Sequence, residues 1–163
     1  MEKPIKTVLV MHDPSQMVTR AFRARGDIAY SVSCAACGGG YPGWHIRQRP
    51  MELLAELKMV CRDGLVYVHT EDGSNHILVP KDIDLVIINV ASGVPGTSLW
   101  SKAKAIGSAV CMTMPRGAFY RSINAPTETV RGFTFYLHGV PQLCLGDDTQ
   151  PISIAAEMAR QWG

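Results

Sequence analysis

The chain has 163 residues, 47% of them hydrophobic and 18% charged, with a formal net charge of +2. That balance excludes an intrinsically disordered chain, and no run of about 18 apolar residues offers a membrane span. Sixteen basic against 14 acidic residues neither demand nor exclude nucleic acid or an anionic surface as partner. A chain of this length buries roughly two-thirds of its unfolded surface and needs no staples. The five cysteines are an odd number, so the expectation is reduced thiols in the cytoplasm. No long apolar core follows the charged start at residues 1–6, which points away from a secretory leader. One Rossmann-like domain spanning residues 1–163 is expected.

Thr7-Val8-Leu9-Val10-Met11 is a short apolar run, the pattern of a strand buried on both faces in a parallel sheet. His12-Asp13-Pro14-Ser15 then reads as a polar turn, with Asp13 or Ser15 placed to cap a helix over about residues 15–25. Met17, Val18, Ala21 and Phe22 supply its apolar face. Arg20, Arg23 and Arg25 read as its solvated side, and Gly26 ends it. Residues 28–33 read as a second strand. Residues 34–50, with Gly38-Gly39-Gly40, Pro42 and Gly43, read as a loop. A helix follows over about 51–62, burying Leu53, Leu54, Leu57 and either Val60 or Cys61.

Residues 65–70 and 75–79 flank Glu71-Asp72-Gly73-Ser74, a hairpin signal. The hairpin is either an insertion or an antiparallel sheet edge. Residues 84–90 form the second strongly apolar strand. Gly93-Val94-Pro95-Gly96 turns the chain, Thr97 or Ser98 caps a helix over 99–106, and 109–113 is another buried strand. A short helix near 119–123, strands at 131–137 and 142–145, and a closing helix at 152–162 complete the reading. The alternation of strand and helix predicts an α/β three-layer sandwich, its sheet mainly parallel with one or two antiparallel additions.

Ligands of open α/β sheets bind outside the carboxyl ends of the strands. That rule selects His12, Asp13 and Ser15 after the first strand. It also selects Asn89, Ser92, Gly93, Gly96, Thr97 and Ser98 after the strand beginning at Asp84. Small residues and hydroxyls at a helix start favour an anion such as phosphate or carboxylate, although the P-loop spacing is absent. Arg116 follows the next strand and is placed to grip a phosphate. Cys34-x-x-Cys37 ahead of three glycines has three readings: two unpaired thiols, a redox pair, or half of a zinc set completed from His45, Cys61, His69 or His76. Trp44 either anchors its loop on the core or stacks on a base.

Val8-Leu9-Val10, Ser15, Val18-Thr19-Arg20-Ala21-Phe22-Arg23-Ala24-Arg25-Gly26, Ala29-Tyr30-Ser31, Gly39-Gly40 and Trp44-His45-Ile46 carry a resemblance. This first third of the chain resembles the N-terminal part of phage-encoded DNA methyltransferase-like proteins. The resemblance implies a Rossmann-like fold in which the first strand and loop bind S-adenosylmethionine, with the host cytoplasm as location. The family's acid after strand two falls near Ala35 or Ala36, where no acid stands. Its Gly-Asp falls at Gln48-Arg49, and its Pro-Cys or Pro-Pro motif falls at Asn89-Val90-Ala91-Ser92. These departures imply a protein that binds a nucleoside- or nucleotide-like ligand at the strand ends and has lost methyl transfer. An active methyltransferase and a non-enzymatic interaction module are the alternatives. Nucleic acid and a second copy of the chain stay open as partners.

Overall fold

The computed structural model describes residues 5–90, 95–114, 127–130 and 133–139. Seven strands make one sheet: β1 (Thr7–Met11), β2 (Ile28–Val32), β3 (His45–Ile46), β6 (Leu85–Asn89), β7 (Ala109–Met114), β8 (Thr127–Val130) and β9 (Phe133–His138). Their order is β3-β2-β1-β6-β7-β9-β8. The first five run parallel, and β9 runs antiparallel to both its neighbours. Helices α1 (Met17–Ala24), α2 (Pro50–Met59) and α3 (Gly96–Ala105) cover the faces. The result is a Rossmann-like α/β sandwich.

The apolar strands alternate between two cores, as a two-residue side-chain period requires. Val8, Val10, Leu85, Ile87 and Cys111 pack with Phe22 of α1 on one face. Leu9, Met11, Val86, Ile88 and Met112 pack on the other with Leu53, Leu54 and Leu57 of α2 and Leu99, Trp100 and Ala103 of α3. Covering on both faces explains why these strands are nearly pure apolar runs.

Several boundaries differ from the sequence expectation. Helix α1 starts only at Met17, because Gln16 adopts a left-handed conformation with φ 58°. Helix α2 stops at Met59, two residues before Cys61 at φ 63°. Helix α3 starts at Gly96 after Pro95, with no side-chain cap, so neither Thr97 nor Ser98 is its cap. Arg25 and Arg23 are not solvated: Arg25 is buried 2.8 Å from Asp27, and Arg23 lies over the Tyr30 and Trp44 rings. Strand β3 lies inside the segment read as loop, paired with β2 through Ser31↔His45 and Val32↔Ile46. The hairpin β4 (Val66–His69) and β5 (Asn75–Leu78) is a separate two-stranded sheet. An Ile46↔Thr70 bridge joins it to β3. Strand β8 was not foreseen. The predicted elements at 119–123, 142–145 and 152–162 lie outside the described residues.

The glycine-rich segment 33–44 forms a strap folded over the loop between β1 and α1. Gly38 N–H donates to the Pro14 carbonyl at 2.8 Å. A side chain at Gly39 would place its Cβ 2.5 Å from the Ser15 carbonyl oxygen and 2.6 Å from Gln16 Cβ. Glycine is therefore required by contact there. Gly39→Ala is expected to destabilise the fold by about 1–3 kcal/mol, read from urea unfolding. An unchanged midpoint would contradict this close packing.

Candidate functional site

Strand order reverses between β1 and β6. From β1 the chain moves outward to β2 and β3, then returns to place β6 on the opposite side of β1. Crevices outside the carboxyl ends at such a switch point are where open α/β sheets bind ligands. Met11 pairs with Ile88, so His12 and Asn89 leave the sheet side by side.

His12 is half-buried and has a backbone φ of 60°. Its N–H is held by the Val32 carbonyl at 2.8 Å, which fixes the residue in a conformation rare for a non-glycine. The imidazole has no hydrogen-bond partner among the described residues. Burial lowers its pKa below the ordinary 6.5, so the ring is neutral at physiological pH and offers one donor and one acceptor. Asn89 is positioned by β7: Thr113 Oγ1 donates to its Oδ1 at 3.0 Å. That bond occupies the amide oxygen and leaves the amide nitrogen as a donor without a partner among the described residues.

Asp13 faces the other way. It is buried, and its Oδ2 accepts from Thr19 N–H at 3.0 Å and from Thr19 Oγ1 at 2.8 Å. Ser15 Oγ donates to Oδ1 at 3.4 Å. A helix N-terminus presents unpaired N–H groups and a partial positive charge, the feature that binds phosphate in many nucleotide sites. Here the protein's own carboxylate fills that position at α1. Asp13 does the capping foreseen for it, from further upstream than a usual cap. Asp13 is thus committed to the helix end, while Ser15 is exposed and reaches Asp13 only through a 3.4 Å bond.

The strap seals the same helix end from above. Gln16 is fully buried. Its Oε1 accepts from Tyr41 N–H at 3.0 Å and from Cys37 Sγ at 2.8 Å, and its Nε2 donates to the Tyr41 carbonyl at 2.8 Å. Gln16 Nε2 also reaches Ser31 Oγ at 3.3 Å. His45, fully buried, bonds Ser31 Oγ through Nδ1 at 2.7 Å and the Ala35 carbonyl through Nε2 at 2.8 Å. A carbonyl can only accept, so Nε2 carries a proton. This Ser31–His45–Gln16 cluster joins residues distant in sequence, and no motif announced it. Trp44 anchors the strap: it stacks on Tyr41 at 4.1 Å and 6°, with the Arg23 guanidinium 4.8 Å from its ring.

The remaining candidates separate. Thr97 and Ser98 line a shallow cavity of about 350 Å³ with Ser101, Lys102 and Lys58; neither His12 nor Asn89 borders it. Gly96 is buried in the first turn of α3. Ser92, Gly93 and Arg116 lie outside the described residues. Among the described residues no group of three or more His, Cys, Asp or Glu side chains is arranged to hold a metal ion. Two of the proposed zinc completers are already engaged: His45 as above, and His76 by Tyr30 Oη and Thr70 Oγ1. No helix among the described residues is long and apolar enough to cross a membrane. No family model matches the chain, and neither does any curated protein or solved structure.

Burial raises the Asp13 pKa above its ordinary 3.8, against the opposing pull of the Thr19 hydrogen bonds. The folded protein therefore holds this proton to higher pH than the unfolded chain does. The resulting contribution to stability is full below pH 3.8 and is lost as pH rises through the native value. Asp13→Asn should remove that slope while keeping an acceptor for Thr19. Urea unfolding of both proteins across this window checks it; parallel pH profiles would contradict the inward placement of Asp13.

Proposed function

We propose that this is a Rossmann-like binding protein for a compact, phosphate-free, nucleoside-like ligand, seated between the carboxyl ends of β1 and β6. One observation carries the reading. The strand reversal brings an unpartnered neutral imidazole, His12, beside an oriented amide donor, Asn89, while the anion position at α1 is already filled by Asp13. Uncharged donors and acceptors match the edges of a nucleobase or a sugar hydroxyl. At this end of α1 the Thr19 N–H is already taken by the Asp13 carboxylate, whose charge disfavours a phosphate there.

The resemblance in the first third of the chain supports the same ligand class, because S-adenosylmethionine is itself a phosphate-free nucleoside. Methyl transfer is not part of the proposal. Ser33, the first residue after β2, is buried and bonded to the Ala35 carbonyl. No acid stands there to hold a ribose diol, as one does in dinucleotide-binding sites. Asn89-Val90-Ala91-Ser92 replaces the catalytic motif implied by the resemblance.

Isothermal titration with adenosine, S-adenosylhomocysteine and adenosine monophosphate tests this reading. The nucleosides should bind, and the 5′-phosphate should add no affinity. His12→Ala and Asn89→Ala should each weaken binding by about twofold to tenfold, the worth of one neutral hydrogen bond. Preference for the phosphate-bearing nucleotide, or no response to any of the three, would overturn it.

A further inference from the structure

The Cys34-x-x-Cys37 pair stands apart from the His12–Asn89 crevice, and the ligand reading uses neither thiol. Both cysteines sit on the strap. Cys34 is exposed and Cys37 is half-buried. The chain bends at Cys34 and Ala35, and two intervening residues are the spacing of exchangeable dithiols. The Cys37 thiol is also one of the strap's fastenings, since it donates to the fully buried Gln16 Oε1 at 2.8 Å. Among the described residues, the other donor on that oxygen is Tyr41 N–H. The Cys37 N–H is held by the carboxylate of Glu71, an exposed residue at the hairpin tip, at 3.0 Å. Three glycines follow Cys37, and Gly40 has a φ of +86°. The backbone is therefore least constrained beside the residue that would have to turn.

We infer that Cys34 and Cys37 form a reversible disulfide, and that its formation removes the thiol fastening between the strap and Gln16. The oxidant is a small-molecule disulfide of the glutathione class. The Cys34 thiolate attacks it, the reagent's S–S bond breaks, and one glutathione thiolate leaves as a mixed disulfide forms. Cys37 loses its proton to solvent and attacks Cys34 Sγ, expelling the second glutathione thiolate. Two protein thiols lose two electrons and two protons, and the reagent is reduced to two thiols. Cys37 Sγ then carries no hydrogen to donate, and Gln16 Oε1 keeps Tyr41 N–H alone. The strap over the β1–α1 loop is held less firmly in the oxidised protein. Cys111 is buried in the sheet and takes no part.

The test uses the full chain with Cys61→Ser and Cys144→Ser, which removes the competing thiols. The protein is equilibrated in a buffer of reduced and oxidised glutathione. Intact mass, alkylation mapping and hydrogen exchange at the Tyr41 amide are then read. The expected result is loss of two hydrogens and a bond between Cys34 and Cys37. Exchange at Tyr41 should be about threefold to tenfold faster, as loss of one hydrogen bond implies, and dithiothreitol should reverse it. Adding Cys34→Ser should keep Tyr41 protected in the same buffer. Thiols that both remain open to alkylation overturn the inference, and so does a bridge that leaves Tyr41 exchange unchanged.

Discussion

A buried carboxylate that caps a helix from upstream of its first turn organises this end of the molecule. Asp13 accepts both the amide and the hydroxyl of Thr19, and so satisfies two buried donors in the first turn of α1. A carboxylate at a helix N-terminus is electrostatically favoured, and here it offsets part of the cost of burying the group. The β1–α1 loop is thereby closed on itself. His12 in this loop is half-buried and held in a left-handed conformation by the Val32 carbonyl. The sheet order sets where this matters: β6 returns beside β1, so His12 and Asn89 lie at the carboxyl ends of adjacent strands.

The glycine-rich strap depends on the same loop. Gly39 presses against Ser15 and Gln16, and Gln16 holds the strap at Cys37 and Tyr41. Beneath it Ser31 and His45 pair across β2 and β3. Buried polar groups are costly unless paired. In this cluster Gln16, Ser31 and both His45 ring nitrogens find partners. A segment with four glycines and a proline between Cys37 and Gly43 is thus tied down by side chains from three separate elements.

The central strands were legible because burial on both faces leaves an uninterrupted apolar run, as in Val8-Leu9-Val10-Met11 and Leu85-Val86-Ile87-Ile88. The buried stripe Leu53, Leu54 and Leu57 was legible from its spacing. Strand β3 was not, because two residues carry no periodicity and its pairing with β2 is set by tertiary contact. The start of α1 was missed because the conformation of Gln16 follows from its partners on the strap. His12 and Asn89 were selected by the sheet-end rule. Asp13 was selected by the same rule, but the sequence carries no sign of which way its side chain turns. A carboxylate that caps from a few residues upstream reads in the sequence like a ligand contact.

The central claim is that α1 is already occupied by Asp13 and that ligand enters between β1 and β6. Side-chain and amide NMR during an adenosine titration tests this directly, with the His12 imidazole, the Asn89 side-chain amide and the Thr19 backbone amide as reporters. The account predicts that the His12 and Asn89 signals move with a common saturation curve while Thr19 stays in place. Movement of Thr19 with His12 and Asn89 unchanged would contradict it, because the ligand would then displace Asp13 from the helix and leave the proposed crevice empty.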